Sequence, residues 1–302
     1  MWVSGRASSA VERGFPHLEV VRDAIAALYR RLSVDSVEQF AVSVPPVDVA
    51  LDPDEELYGG VQRVARALVR HFRLPDARVI VAFREMELAA EVELSAGPEY
   101  FVELNRRFKE HRRDIGAALA HEITHVYLHR LELVFPGVAE NEILTDTVST
   151  YLGAGWLLLD AFREDSLSSQ KLGYLTPEEF GYVLAKRAEV FGEDPSVWFS
   201  SPQGYEAYVR GRTRAAEDAR RPPLAGGGWV ARRRYGHDRR LARTRMRPGQ
   251  SAFGGEGYRF EWASGVRVSF RCPRCQQRLR VPLRGEVRVR CAGCAQVWSV
   301  DT

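Results

Sequence analysis

The chain has 302 residues, 45% of them hydrophobic and 27% charged, so it has room for one large domain or two smaller ones with a real core. Its most apolar run, residues 148–159, is shorter than the roughly 20 residues that cross a bilayer, which argues against a membrane span. The first 20 residues contain scattered charges and no signal-peptide core, so we expect a cytoplasmic protein.

The net charge of +3 conceals an uneven distribution along the chain. Residues 1–208 contain 21 basic and 33 acidic side chains, whereas residues 209–302 contain 22 arginines and seven acidic residues. Such an asymmetry suggests different partners for the two ends. We therefore predict an acidic globular body and a basic tail that contacts nucleic acid, an anionic membrane surface or the body itself.

The N-terminal third of the chain predicts two helices and a small sheet. Apolar residues recur at helical spacing over residues 16–32 and again over residues 52–72. Three short β-like runs follow at residues 77–86, 89–95 and 99–105, and Ala-Gly-Pro between the second and third indicates a turn. The predicted order is thus helices followed by strands.

The middle of the chain predicts further helices. We expect long helices over residues 112–133 and 140–162, separated by a Pro-Gly pair. Later helices fit residues 176–191, which begin with the start signal Thr-Pro-Glu-Glu, and residues 204–219. Helices, a small sheet and then helices define an α+β fold.

A His-Glu-x-x-His motif lies inside the helix predicted over residues 112–133. His121 and His125 are four residues apart, so they lie on one helical face, one turn apart, and can share a tetrahedral cation. Glu122 projects beside them and is the candidate general base that takes a proton from water activated by the cation. His129 lies about 12 Å along the axis from His121, so we do not expect it to be a ligand.

The following helix offers two carboxylates on one face, in the sequence Asn-Glu-Ile-Leu-Thr-Asp. His-Glu-x-x-His followed by Asn-Glu-x-x-x-Asp resembles the gluzincin metallopeptidases, the thermolysin-like group. The resemblance implies that Glu142 is the third zinc ligand and that Asp146 fixes the ring of His121. An exchange of these roles, with Asp146 on the metal, stays open. The spacer between His125 and Asn141 is a few residues shorter than in that group.

Two parts of a peptidase site have no motif in this chain. Oxyanion stabilisation has three candidates, Tyr151, Tyr174 and His237, and the sequence does not choose among them. The strand predicted over residues 99–105 can pair with a substrate backbone or with another strand.

The basic tail begins with a segment that mixes Arg, Gly and Pro with little periodicity, which predicts a flexible linker. Its arginines either keep the segment solvated or contact nucleic acid or a membrane. We therefore place a zincin-like metallopeptidase domain at residues 1–219, the linker at residues 220–262 and a zinc ribbon at residues 263–302.

The four cysteines occur as two Cys-x-x-Cys knuckles separated by 15 residues: Cys272 and Cys275, then Cys291 and Cys294. This spacing predicts a structural zinc site with four cysteine ligands, and the alternating residues between the knuckles predict a β-hairpin. The segment is similar to small bacterial zinc ribbons. Such a unit is too small to fold from burial alone, so metal must stabilise it. The alternative, two disulfides, requires an oxidising compartment.

Together these features predict an α+β zinc metallopeptidase that contains two Zn²⁺ ions, one catalytic and one structural. His121, His125 and Glu142 hold the first ion, and Glu122 deprotonates the water that attacks a peptide carbonyl. An alternative is a regulatory or adaptor protein whose zincin-like body is not catalytic and whose basic ribbon binds nucleic acid or a protein partner. Hydrolysis of a non-peptide amide would use the same site.

Overall fold

A computed structural model of the protein describes residues 11–164 and 169–302. The chain divides into two compact units, the first ending at Arg212 and the second comprising Thr213–Thr302. Helices together with several small sheets confirm the predicted α+β class. Nowhere in the described ranges does a helix have both the length and the apolar character needed to cross a membrane.

Unit 1 contains most of the helices, and most lie where the sequence predicts them. The helices are α1 (Leu18–Arg31), α2 (Val34–Glu38), α3 (Pro46–Val49), α4 (Leu57–His71), α5 (Ile115–Arg130), α6 (Val138–Tyr151), α7 (Trp156–Asp160), α8 (Pro177–Phe191) and α9 (Pro202–Arg220), which continues past Arg212. The strands are β1 (Arg78–Arg84), β2 (Ala90–Glu93), β3 (Glu99–Asn105), β4 (Arg163–Glu164) and β5 (Ser169–Gln170). At the start of α8, Thr176 and Glu179 form the reciprocal capping box that the start signal predicts.

The single helix predicted over residues 140–162 is wrong, because the structure divides it into α6 and α7. Gly153, between them, has a φ of +99°, in the left-handed region that favours glycine. A Cβ at this position would lie 2.8 Å from the Cα of Ser43, so the backbone approaches too closely for any side chain. Helix α6 therefore ends just before Gly153, where the chain turns close to the backbone of Ser43.

Strand β3 lies at the centre of the main sheet, whose order is β1-β3-β2. It pairs in parallel with β1 and antiparallel with β2, where Ala90 lies opposite Leu104. Of the two roles left open for this strand, pairing with other strands is therefore the one observed. Within the described residues the sheet ends at the short strand β2.

Helix α5 carries the histidine motif into the interior of unit 1. It packs against β2 and β3 and also against α6. From Ile115 to Leu128, every residue of α5 except His125 is buried. The run Ile-Gly-Ala-Ala-Leu-Ala ahead of the motif makes α5 apolar around most of its circumference. A helix of this kind is stable when other elements enclose it.

Unit 2 contains the end of α9, one further helix and two antiparallel sheets. Its elements are α10 (Trp229–Arg245), β6 (Phe253–Gly255), β7 (Tyr258–Trp262), β8 (Val266–Arg271), β9 (Arg278–Pro282), β10 (Glu286–Arg290) and β11 (Val297–Asp301). One sheet has the order β6-β7-β8-β9, and the other pairs β10 with β11. The flexible linker predicted over residues 220–262 is therefore wrong, since α10, β6 and β7 lie within it.

A buried aromatic cluster explains why this arginine-rich segment is folded. Tyr235 on α10 stacks on Phe260 of β7 with ring centroids 5.7 Å apart, and it meets Tyr258 edge-on at 4.8 Å. The hydroxyl of Tyr235 donates to the carbonyl oxygen of Asp301 at 2.7 Å, and that of Tyr258 donates to Asp238 at 2.7 Å. Three aromatic side chains thus provide a core that the composition of the segment conceals.

The hairpin predicted between the two cysteine knuckles is also wrong. Strand β9 pairs with β8, and β10 pairs with β11, so each knuckle lies at the turn of its own hairpin. A Cys-x-x-Cys turn reverses the chain locally, which brings the strands that flank it together.

Candidate metal centres

Three side chains from α5 and α6 converge in unit 1. The Nε2 atoms of His121 and His125 are 3.0 Å apart, and Glu142 Oε2 lies 3.1 Å from the first and 3.3 Å from the second. Ligand atoms at tetrahedral zinc, with bonds of about 2.0–2.1 Å, lie about 3.3 Å apart. The separations match three corners of one tetrahedron, and the group can hold a metal ion.

The second nitrogen of each imidazole has its own partner. Nδ1 of His121 lies 2.8 Å from Asp146 Oδ1, and Nδ1 of His125 lies 3.3 Å from the hydroxyl oxygen of Thr145. Thr145 donates its own proton to the carbonyl oxygen of Asn141 at 3.0 Å, so its oxygen accepts from His125. With both Nδ1 atoms protonated, both Nε2 lone pairs point toward Glu142. The two nitrogen lone pairs and the carboxylate oxygen of Glu142 repel one another unless a metal ion or a proton lies between them.

The charges of the centre favour a cation. Burial lowers the pKa of His121, but the hydrogen bond and charge of Asp146, together with Glu142, raise it to about 10. Burial raises the pKa of Glu142, but the hydrogen bonds from the two imidazoles lower it well below its usual range. Glu142 is therefore ionised, and a metal ion bound here would compete with protons for this centre.

Glu122 is almost completely buried next to the three converging side chains, with 3% of its surface exposed. Burial raises its pKa, the two imidazoles oppose that shift, and the charges of Glu142 and of Glu91 on β2 add to it. A buried carboxyl group with a raised pKa beside a candidate cation site has the character of a general base or acid.

The centre is closed on one side and accessible on the other. The side chains of His121 and Asp146 are 0% exposed, whereas those of His125 and Glu142 are 15% and 13% exposed. An ion bound by these three side chains would have a coordination position left for water or substrate, which is the arrangement that catalytic zinc sites have and closed structural ones lack.

Asp146 connects the centre to the loop that precedes α8. Its Oδ2 accepts hydrogen bonds from the backbone N–H groups of Tyr174, at 2.5 Å, and Leu175, at 3.0 Å. Glu142, and not Asp146, lies among the converging ligand atoms. Gly173 permits the close approach, because it has a φ of +90° and a Cβ there would lie 2.7 Å from Asp146 Oδ2.

The other predicted candidates lie in different surroundings. His129 is exposed and does not belong to the converging group. Tyr151 is buried, and its hydroxyl lies 3.0 Å from that of Tyr29. His237 lies on α10 in unit 2. Of the three candidates for oxyanion stabilisation, Tyr174 is the one that contacts Asp146.

Sequence reasoning missed three residues that support the centre. They are Thr145, Gly173 and Lys171, whose ammonium donates to the carbonyl oxygens of both Tyr174 and Leu175 at 3.1 Å. A signal existed for Thr145, which lies four residues after Asn141 on the same helical face. The sequence contains no such signal for Lys171 and Gly173, because their contacts form only when the loop before α8 packs against Asp146.

A second group of possible ligands lies in unit 2. The sulfur atoms of Cys272 and Cys294 are 3.6 Å apart and those of Cys275 and Cys291 are 3.5 Å apart. All four are buried free thiols, too distant for disulfides of about 2.0 Å and near the separation of about 3.8 Å that tetrahedral zinc thiolates show. This group can hold a metal ion.

The two knuckles have the same local structure. Gln276 and Ala295, each following the second cysteine of its knuckle, have φ values of 57° and 60°. Their N–H groups donate to the carbonyl oxygens of Cys272 and Cys291, both at 2.9 Å. The indole N–H of Trp298 also donates to Cys272 Sγ at 3.3 Å. Four sulfur ligands enclosed in this way form a closed centre.

Comparisons of the chain with protein-family models, with curated proteins and with solved structures give no match. The interpretation of both centres therefore depends on their geometry and on the motifs that form them.

Proposed function

We propose that unit 1 is a zinc-dependent metallopeptidase of gluzincin type that acts on peptides or proteins. The observation that carries the proposal is the convergence of His121, His125 and Glu142 at tetrahedral separations beside the buried Glu122. Two imidazole nitrogens and a carboxylate oxygen are the donor set of many catalytic zinc sites. The resemblance of the two helix motifs to the gluzincins supports the same assignment.

We propose zinc for the four-cysteine centre as well, since four thiolates in two knuckles favour this ion. The four free thiols support a reducing compartment, and we propose that the protein acts in the cytoplasm.

The reaction requires few groups of the protein. Zinc, when bound, makes water more acidic and polarises a carbonyl oxygen. Glu122 accepts a proton from the attacking water, whose oxygen bonds to the carbonyl carbon. Glu122 then returns this proton to the amide nitrogen as the carbon–nitrogen bond breaks, and a carboxylic acid and an amine leave. Asp146 and Thr145 hold the imidazole rings in place.

Strand β2 favours an extended peptide as the substrate. It ends the described sheet, packs against α5 and carries Glu91, whose charge acts on Glu122. An extended peptide that pairs with this edge would form backbone hydrogen bonds with it and lie alongside the catalytic helix. A small non-peptide amide would make no use of the edge.

The Glu122→Gln variant tests this function. We expect two zinc ions per chain in the variant, measured by mass spectrometry of the metals, and loss of hydrolysis of a fluorogenic peptide mixture. Glu140→Gln, which alters an exposed carboxylate at the start of α6, is the matched control and should retain activity. Hydrolysis by Glu122→Gln at the wild-type rate, or one zinc per chain in the wild type, would refute the assignment.

A second candidate function is supported by the charge of unit 2. Residues 213–302 contain 20 arginines, no lysine and seven acidic residues, a net charge of +13. Arg232, Arg233 and Arg240 are exposed on α10, and Arg233 lies over the exposed Trp229 ring at 5.2 Å. We propose that this face binds nucleic acid through its phosphates. Trp229 and Val230 are the large exposed apolar residues of α10, too few for a face that inserts into lipid.

Binding of a fluorescent DNA duplex of about 20 base pairs to the full chain tests this second function. We expect affinity to fall steeply with salt, and the double variant Arg233→Glu/Arg240→Glu to lower the salt slope by about two. Arg66→Glu/Arg70→Glu, on exposed positions of α4 in the acidic unit, reverses the same charge and should bind as wild type does. Binding to anionic vesicles without binding to the duplex would contradict the proposal.

A further inference from the structure

The hydroxyl of Tyr174 has an unusual environment. Its oxygen is enclosed, and it has no hydrogen-bond partner among residues 11–164 and 169–302. Leaving a buried polar group without a partner costs about 1–3 kcal/mol, and such groups are rare in native structures. The Tyr174 hydroxyl is a buried donor without a partner in a loop that contacts Asp146, which suggests that its acceptor arrives with a ligand.

Tyr174 is tied to the metal centre through its backbone N–H, which lies 2.5 Å from Asp146 Oδ2, and the carboxylates of the centre act on its phenol. Burial raises the pKa of Tyr174 to about 12, and the charges of Glu142, Asp146 and Glu122 act in the same direction. The phenol is therefore protonated throughout the physiological pH range and remains a hydrogen-bond donor.

The backbone of Tyr174 is held from both sides. Asp146 accepts hydrogen bonds from the N–H groups of Tyr174 and Leu175, and Lys171 donates to the carbonyl oxygens of the same two residues. Asp146 also contacts the His121 ring, so the tyrosine backbone and a metal ligand are fixed by one carboxylate. These four backbone hydrogen bonds restrict where the phenol can point, which is what a catalytic donor requires.

We propose that Tyr174 is a catalytic residue that donates a hydrogen bond to the carbonyl oxygen of the cleaved peptide as negative charge develops on it. Lys171 is then a positioning residue, acting through the backbone of Tyr174. This inference rests on the proposed peptidase function, and it identifies the oxyanion donor that the motifs did not reveal.

Kinetics of the full-length Tyr174→Phe protein give the first test. Loss of one oxyanion donor should lower kcat by about 10²–10³-fold. We expect KM to change by less than about twofold, because the hydrogen bond strengthens only as charge develops. The control is Tyr208→Phe, which removes a tyrosine hydroxyl bound to Asp194 and should leave kcat unchanged. Zinc content should be two per chain in both variants.

Calorimetry gives a readout that does not depend on turnover. The probe is a phosphinic dipeptide analogue, whose tetrahedral anion resembles the oxyanion, and Tyr174→Phe should bind it about 100-fold more weakly than wild type. The corresponding ordinary peptide, measured in the Glu122→Gln background, should bind within about twofold with and without the tyrosine hydroxyl.

Lys171→Met tests whether the hydrogen bonds from Lys171 position Tyr174. It should weaken binding of the phosphinic analogue in the wild-type background but have little further effect in Tyr174→Phe, since a positioning residue acts only through the group it positions. Equal losses in both backgrounds would show a merely structural role for Lys171 and overturn that part of the proposal.

The outcomes for Tyr174 separate this inference from the function on which it rests. If the phosphinic analogue binds Tyr174→Phe and wild type equally well, the tyrosine assignment is wrong even when Glu122→Gln is inactive. If the analogue binds neither protein, both proposals are overturned.

Discussion

The two candidate metal centres differ in how each depends on its surroundings. In unit 1, two imidazoles and a carboxylate project from α5 and α6, which are packed among other helices and a sheet. In unit 2, four thiols lie at the turns of two short hairpins. The first centre is held by two helices that pack within the core of unit 1, whereas the second joins the turns of two hairpins.

A metal ion would therefore contribute differently to the two units. An accessible centre with three ligands inside a complete core can lose its ion and keep its fold, so the ion is available for chemistry. A closed centre with four thiolates uses every coordination position for the protein, so its ion contributes stability. Variants that change one centre, with both centres measured, test this difference.

The largest effect is expected at the cysteine centre. Cys272→Ser should release the metal ion of unit 2 and disorder the strands β8 to β11, because structural zinc contributes about 10 kcal/mol or more to the folding of such small units. Amide resonances of unit 2 should collapse in NMR spectra while those of unit 1 persist. His125→Ala, the control, should release the other ion with both units folded. Unfolding of unit 1 in His125→Ala would show that this centre, too, is required for the fold.

A smaller effect is expected at Gly173. An alanine there has to adopt a φ of +90° and would place its Cβ 2.7 Å from Asp146 Oδ2, so we expect a loss of about 3 kcal/mol in the free energy of unfolding of unit 1. Gly192→Ala is the matched control, because Gly192 has a φ of +73° with no atom within 4 Å of an added Cβ. It should lose only about 1–2 kcal/mol in urea unfolding. Equal losses would show that Asp146 does not constrain the loop.

Next in size is the effect of Asp146→Asn on metal affinity. The variant keeps the shape of the side chain but removes the charge that orients His121, which should weaken zinc binding in unit 1 about 10–100-fold. Competition with a fluorescent chelator measures this, and the cysteine centre serves as an internal reference that should not change. Unaltered affinity in unit 1 would contradict the role given to Asp146.

The smallest effect is expected for Thr145→Val. It removes the acceptor for His125 Nδ1, a single neutral hydrogen bond, so zinc affinity in unit 1 should fall by only about 2–10-fold. A loss equal to that of Asp146→Asn would mean that the two imidazoles depend equally on their partners.

Features that depend on short spacings could be predicted from the amino-acid sequence. Residues four apart on a helix lie on one face, so His121 and His125, and Glu142 and Asp146, were identifiable from their spacing alone. The same holds for the Cys-x-x-Cys knuckles and for the capping box that begins α8. Local geometry fixes each of these, whatever the rest of the chain does.

Features that depend on contacts between distant segments became visible in the folded protein. The return of the loop at Gly173 and Tyr174 to Asp146, the central position of β3 and the aromatic cluster around Tyr235 are examples. No local pattern reveals them, because each follows from packing between elements far apart in the chain. The ligands of a centre can therefore be found from spacing, while the groups that orient them require knowledge of which segments meet.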